Sequence, residues 1–306
     1  MEIKKAVIPA AGWGTRFLPA TKAQPKEMLP LIDKPAIQYI VEEVRNSGLK
    51  DLLLITGKTK RSIEDHFDRS VELEDFLREK NNGPMLDLVE DIANLVDIYY
   101  VRQKEQLGLG HAVYCARNFI SNEPFAVLLS DDIILGDPPC LQQMIDAYHH
   151  IRTAVIAVME VPDEEVDKYG IVTPAGDSNR NLFPVSSLVE KPSLKKTPSN
   201  LAVIGRYILL PEIFGILEDL PPGRGGEIQL TDALDILAQH GKVHAYRFTG
   251  QRYDIGDKLG FLKATVEIAL SRPDIAESFF SYLFGKVQKR NLAVIDVING
   301  KSPSIT

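Results

Sequence analysis

Residues 4–30 read KKAVIPAAGWGTRFLPATKAQPKEMLP. A segment over 4–9, apolar from Ala6, stops at Pro9 and passes into a turn in which Gly12 and Gly14 stand on either side of Trp13. The run has the composition of a short buried strand. The two glycines let the backbone turn sharply after it and present N–H groups that no strand partner needs. Arg16 and Lys26 add positive charge to the same loop, so 10–26 is a candidate phosphate cradle; a surface turn with solvated cations is the plain alternative.

Outward from this loop the pattern alternates. Ile37, Ile40, Val41 and Val44 fall at helical spacing over 34–47, with Pro35 suited to the first turn and Gly48 closing the helix. DLLLIT at 51–56 is a second buried strand, and 62–67 begins another helix. An acidic, helix-rich insertion over 70–95 is expected as an appendage to the sheet. A strand at 97–103, a helix over about 109–119, a strand at 124–130, a helix over about 141–150 and a strand at 153–160 follow. Strands alternating with helices imply a three-layer α/β fold on a mostly parallel, mixed sheet. From about 170 the strands shorten (171–173, 185–190, 201–210) between Pro-, Ser- and Asn-rich turns, and this half is expected to fold against the first. Helices are expected at 259–270 and 275–284, before an apolar stretch and a polar tail.

Two familiar phosphate loops do not fit. A dinucleotide fingerprint needs a third glycine where Phe17 stands, and the second strand ends in Thr56 and Gly57 instead of an acidic ribose ligand. The tripeptide Gly57, Lys58, Thr59 would need glycine at Leu52 to be a Walker loop, and is expected as a strand-to-helix turn. A net charge of -7 disfavours nucleic acid as a partner. Cys115 and Cys140 lack CxxC spacing and fit a reducing compartment. With no apolar run of membrane length and no signal-peptide core, a cytoplasmic location with no membrane partner is expected.

Other residue groups carry chemistry. Asp131 and Asp132 follow the apolar strand FAVLLS, at the carboxyl end where ligands gather, and one of them should face the cleft. With Asp254 in the turn RYDIGD they could hold magnesium, which takes one or two carboxylates plus phosphate oxygens and water; a helix cap at Asp132 and a turn-forming Asp254 are the alternatives. Gln103, followed by Gly108 and Gly110, offers a paired donor and acceptor matching the imide edge of uracil or thymine, or is merely solvated. His111 is expected to be structural. Glu190 and Lys191 at a strand end suit sugar hydroxyls and a phosphate, or form an exposed ion pair. Glu227 after Gly225 and Gly226 is either a sugar contact or a helix cap.

In order along nearly the whole chain, AAGWGTRFLPATKAQPKEMLP, RQKEQLGLGHAV, SDDI, VEKP, GEIQLTDAL and RYDIGDKLGF resemble the sugar nucleotidyltransferases. Within them, KAQPKEMLP with QLGLGHAV resembles the bacterial UTP:glucose-1-phosphate uridylyltransferases, or UDP-glucose pyrophosphorylases. The resemblance implies a Rossmann-like nucleotidyltransferase fold and Mg2+-dependent formation of UDP-glucose and pyrophosphate from UTP and glucose 1-phosphate. By it, Arg16 and Lys26 are catalytic, and Ala10, Ala11, Gly12, Gly14, Thr15, Glu27, Gln103 and Gly108 bind the nucleotide. Asp131 and Asp254 hold the metal, and Asp132, Gly170, Glu190, Lys191 and Glu227 hold the sugar phosphate. It further implies a homodimer or homotetramer.

The expected organisation is a catalytic domain over 1–270, with a nucleotide half at about 1–135 and a sugar half at about 136–257, then a helical extension and tail over 271–306. A thymidylyltransferase shares these residues. A non-catalytic homologue that binds nucleotide sugar would be expected to lack Arg16, Lys26 or Asp131, and all three are present.

Overall fold

In the computed structural model, which describes residues 2–194 and 197–298, the glycine turn leaves the strand β1 (Lys5–Pro9). Next come a tiny hairpin of β2 (Pro30–Leu31) and β3 (Lys34–Pro35), then α1 (Ala36–Asn46), β4 (Asp51–Thr56) and α2 (Arg61–Phe67). The acidic insertion is the helix pair α3 (Val71–Glu79) and α4 (Gly83–Ala93), ahead of β5 (Asp97–Arg102). The helix expected over 109–119 divides into α5 (Leu109–Tyr114) and α6 (Arg117–Ile120). β6 (Phe125–Leu128), β7 (Asp132–Leu135), α7 (Cys140–Ile151), β8 (Ala154–Glu160), β9 (Gly170–Pro174), β10 (Leu182–Glu190) and β11 (Leu201–Leu209) follow. The chain continues through α8 (Glu212–Asp219), α9 (Leu230–Gln239), β12 (Val243–Arg247), β13 (Gln251–Asp254), α10 (Lys258–Ser271) and α11 (Ala276–Ile298). The end of the expected tail, past residue 298, lies outside the described residues.

Nine strands form one mixed sheet in the order β5-β4-β1-β6-β11-β8-β12-β10-β9. Its first four are mutually parallel. Beyond β6 the pairing turns antiparallel, except where β8 runs parallel to β12. Parallel character is therefore concentrated in the first half of the chain, where helices alternate with strands in sequence.

Both faces of the sheet are covered, which is why its strands read as continuous apolar runs. Side chains alternate between faces. Ala6, Ile8, Leu52 and Leu54 belong to one core, with Ile37, Ile40, Val41 and Val44 of α1 and Leu141 and Met144 of α7. Val7, Leu53 and Ile55 belong to the other, with Val113 of α5 and Leu230, Leu234 and Leu237 of α9. α1 ends as its sequence foretells: Gly48 takes φ +79°, its N–H reaches Arg45 O, and the N–H of Leu49 reaches Val44 O at 3.2 Å. This left-handed stop turns the chain directly into β4.

From β1 the chain goes to β4 on one side and later to β6 on the other, so β1 is the point where strand order reverses. At such a point the loops after adjacent strands diverge and leave a crevice at the carboxyl edge of the sheet. A two-stranded ribbon closes this edge: β7 and β13 pair antiparallel with Asp132 opposite Asp254. No helix among the described residues is long and apolar enough to cross a membrane.

Candidate active site

Loops leaving β1, β4, β5 and β6 converge on the crevice. A cavity of about 430 Å3 there is lined by, among others, Ala11, Gly12, Lys26, Glu27, Gln103, Gly108, Asp131 and Glu227. An adjoining cavity of about 170 Å3 is lined by Gly14, Thr15, Arg16, Phe17, Lys26, Asp131 and Gly256. Most of the expected nucleotide and metal residues are thus brought together. Ala10 is buried and serves as an anchor, its N–H donating to Ile55 O at 2.8 Å.

The 10–26 loop is tied down by its own side chains, to itself and to the residues around it. Gly14 sits in the left-handed region at φ +66°, and a Cβ there would lie 3.2 Å from Cβ of Lys26. The Thr21 hydroxyl donates to Gly14 O at 2.7 Å, and Arg16 Nη1 donates to Gly256 O at 3.3 Å. Lys26 Nζ lies 2.7 Å from Asp131 Oδ2. Burial opposes both charges, but each partner outweighs it: the Lys26 ammonium is raised above its ordinary value, chiefly by Asp131, and the Asp131 carboxyl is lowered, chiefly by Lys26. Glu27 is fully buried; one oxygen accepts from Lys60 Nζ at 2.7 Å and the other from the Ser130 hydroxyl at 3.4 Å.

The ribbon carries Asp254 up to Asp131 from far along the chain, and the N–H of Ile255 donates to Asp131 O at 2.8 Å. A Cβ on Gly256 would lie 3.0 Å from Asp254 Oδ1 and 3.2 Å from Asp131 Oδ2, so the two carboxylates converge on one small space. Asp132 points elsewhere. Its carboxylate is buried, accepting from Arg252 Nε at 2.6 Å and from the N–H of Gly205 at 3.1 Å. Burial pushes it up to about 6, Arg252 pulling it back and the neighbouring Asp131 and Asp254 adding to the rise. Asp132 therefore braces the ribbon and lines neither cavity, and it is not a helix cap either.

At the other end, Gln103 donates from Nε2 to Gly108 O at 3.1 Å and lies 3.0 Å from His111 Nδ1. The Gln106 amide donates to Ala11 O at 2.6 Å. The 107–110 turn is clamped to the segment before α9: Ile228 N–H donates to Leu107 O at 2.7 Å, and Gly110 N–H to Ile228 O at 2.8 Å. This clamp brings Glu227 into the larger cavity beside Gly108, away from the other residues assigned to the sugar.

Those residues form their own group. Glu190 Oε2 accepts from the Thr231 hydroxyl at 2.6 Å, Lys191 Nζ lies 3.3 Å from Glu190 Oε1, and a Cβ on Gly170 would meet both Thr231 and Glu190. Tyr169 links this group to the Asp131 and Asp254 carboxylates, its hydroxyl donating to Asp254 Oδ2 at 3.3 Å. Burial raises the Tyr207 phenol, and the charges of Glu190, Asp132 and Asp131 add to the rise.

Four charged residues escaped the sequence reading. Arg206, wholly buried in β11, donates to Glu43 at 2.7 Å and to the carbonyls of Asp132 at 2.8 Å and Gly205 at 3.0 Å, beneath the Asp131 turn. Lys60 anchors Glu27, and Arg252 joins Asp132 to Asp254 at 3.3 Å. A signal did exist: Arg206 interrupts the run LAVIGRYIL, and Glu43 falls beside the apolar stripe of α1. A charge in such a place needs a buried partner.

With this geometry in place, residues 5–270 match the family model of nucleotidyl transferases. The chain is 56% identical over 282 residues to a UTP–glucose-1-phosphate uridylyltransferase of Bacillus subtilis strain 168, covering 92% of this chain and 95% of that one. A UTP-bound UGPase from Acinetobacter baumannii is similar in structure, with TM-score 0.84, 43% identity and coverage of 92% and 99%. So is a UDP-glucose pyrophosphorylase complexed with UDP-glucose, with TM-score 0.81, 44% identity and coverage of 88% and 100%.

Proposed function

The chain belongs to the nucleotidyl transferase family, and from that membership we propose that it transfers the uridylyl group of UTP to glucose 1-phosphate, forming UDP-glucose and pyrophosphate. The observation that carries this reading is the convergence of Arg16, Lys26, Gln103 and Asp131 on one crevice at the switch point of the sheet. It agrees with the names of the relatives.

An oxygen of the sugar phosphate forms a bond to the α-phosphorus of UTP as the bond from that phosphorus to the bridging oxygen breaks. The electron pair leaves with pyrophosphate. The attacking oxygen is already ionised near neutral pH, so the chain's task is positioning and charge stabilisation. A Cβ on Gly12 would meet nothing within 4 Å, so this side of the 11–14 turn is open to the cavity and leaves room for the phosphates. Arg16 and Lys26 hold the triphosphate and the leaving charge. Glu27, held by Lys60, fixes the turn that carries Lys26. Glu190 accepts from sugar hydroxyls and Lys191 holds the sugar phosphate, while Glu227 serves the cavity beside Gly108.

A divalent cation fits Asp131 and Asp254, whose oxygens flank the space above Gly256. Among the described residues no cluster of three or more His, Cys, Asp or Glu side chains could hold a metal by itself. Two carboxylates with substrate phosphates and water is the coordination that Mg2+ favours, and Mg2+ is the ion proposed; when bound it neutralises phosphate charge. We also propose 1–270 as the catalytic domain, with 271–306 as an extension. Leu259, Leu262, Phe280 and Phe284 stand exposed on α10 and α11 and support a homodimer or homotetramer. The free Cys115 and Cys140 suit the cytoplasm.

Pyrophosphate release by purified protein with glucose 1-phosphate, Mg2+ and each nucleoside triphosphate tests the reading. UTP should be preferred, and chelation of the metal should stop turnover. A preference for dTTP would make the enzyme a thymidylyltransferase, and no release with any nucleotide would overturn the catalytic reading.

A further inference from the structure

We infer that His111 is a positioning residue for base selection. It locks the Gln103 amide so that the cavity meets an acceptor, favouring a base that presents a ring N–H, such as uracil, over one with a bare ring nitrogen, such as cytosine. The inference rests on the proposed role of Gln103 at the base.

Gln103 is buried at the end of β5, its backbone N–H tied to Thr56 O at 2.9 Å, and it lines the larger cavity. A primary amide has two N–H donors and one oxygen. Gly108 O, at 3.1 Å, can only accept, so the amide nitrogen must face it. His111 Nδ1, at 3.0 Å, takes the second N–H, which requires the imidazole proton to sit on Nε2. With both donors used, Oε1 alone remains, and it accepts no hydrogen bond from any described residue. The N–H of Gly108, on the same wall, likewise donates to none.

An acceptor beside a donor is the complement of an imide edge, where a ring N–H adjoins a carbonyl. Cytosine reverses both: its ring nitrogen accepts and its exocyclic amine donates. It would set acceptor against Oε1 and donor against Gly108, leaving buried polar groups unpaired.

Gly108 alone is a single hinge, and the terminal torsion of Gln is broad. His111 supplies the second anchor that fixes the amide plane. Its own place depends on the clamp, because a Cβ on Gly110 would lie 2.8 Å from Ile228 O. Only glycine lets the start of α5, which carries His111, approach Ile228 this closely.

The test is the ratio of kcat/KM for UTP over that for CTP, with glucose 1-phosphate as co-substrate. In His111→Leu the KM for UTP should rise about tenfold, the factor one hydrogen bond carries, with kcat within about twofold. The UTP/CTP ratio should fall by about tenfold or more. In His111→Asn, whose Oδ1 can stand where Nδ1 stands, both should return to within about threefold of the parent. General loosening of the fold would lower both nucleotides alike and leave the ratio unmoved. If Gln103→Leu collapses the ratio while His111→Leu leaves it intact, the inference about His111 is wrong. If Gln103→Leu itself leaves the ratio intact, base reading by Gln103 falls instead. Should His111→Leu fail to fold, His111→Arg, a donor with no acceptor, must lower the ratio where His111→Asn preserves it, and equal ratios in the two would overturn the inference.

Discussion

Replacing Gly108 by alanine strikes the clamp between the two halves of the site. Gly108 has φ +104° and ψ 177°, a region that only glycine occupies readily, and holding another residue there costs about 1–3 kcal/mol. The added Cβ would also lie 2.7 Å from Cβ of Glu227, 2.8 Å from Ile228 O and 3.0 Å from Ile228 N. Two of those three atoms belong to the backbone, so no rotamer change relieves the clash, and overpacking of this kind costs about another 1–3 kcal/mol. The sum, about 2–6 kcal/mol, is a large share of the roughly 5–15 kcal/mol that holds a domain folded.

The fold can escape by letting the 107–110 turn pull away from 227–228, because the clamp there consists of only two backbone hydrogen bonds. Gly108→Ala should then stay folded, with a lower urea midpoint. It should bind UTP at least about thirtyfold more weakly, the factor that corresponds to about 2 kcal/mol. The control is Gly215→Ala in α8, where nothing lies within 4 Å of the new Cβ. It should gain about 0.5–1 kcal/mol from the reduced freedom of the unfolded chain and leave UTP binding unchanged. Urea unfolding and titration calorimetry with UTP read both effects. Gly108→Ala with parental stability and parental UTP affinity would refute the reasoning.

Three further outcomes follow from the same geometry. Lys26→Ala and Arg16→Ala should each lower kcat by about 10² to 10³, the scale of losing one preorganised charge contact, and near-normal turnover in steady-state assays of both would remove them from the catalytic set. Arg206→Met should destabilise by about 3–5 kcal/mol in urea unfolding by stranding Glu43, while adding Glu43→Gln should recover much of the loss; a single variant within about 1 kcal/mol of the parent would disprove the buried pair's role. The Lys26 to Asp131 pair should add stability that is level between the ordinary values of Asp131 and Lys26, 3.8 and 10.5. The lowered carboxyl loses its share as pH falls below that window, and the raised ammonium loses its share as pH climbs above it. Melting curves of the parent and Lys26→Met should therefore converge in acid, and a gap that persists unchanged to about pH 2 would show that the pair is not the source.

The element pattern was readable because strand burial and helix amphipathicity are written at short range. Val7 against Ala6 and Ile8, or the spaced Ile37, Ile40, Val41 and Val44, carry that information within a few residues. The ribbon of β7 and β13 was not readable. Its strands are four residues each and lie more than a hundred apart, and the bond from Arg252 to Asp132 joins them only once they have met. Asp131 and Asp132 look alike in sequence for the same reason, and only the folded turn into β7 sets Asp131 against Lys26 and Asp132 against Arg252.

By itself the glycine turn at 12–14 determined that the chain turns sharply after the first strand and carries two cations there, a candidate phosphate cradle, since the conformational freedom of glycine and the charges of Arg16 and Lys26 are local properties. The resemblance of the motifs added the nucleotide and the sugar. What the tertiary structure alone decided is how the charges are partnered: Lys26 on Asp131, Glu27 on Lys60, Arg206 on Glu43, and Gln103 held between Gly108 and His111. A charged or amide group acts according to which of its hydrogen bonds are already taken, and those partners come from distant strands that meet only when the sheet is assembled.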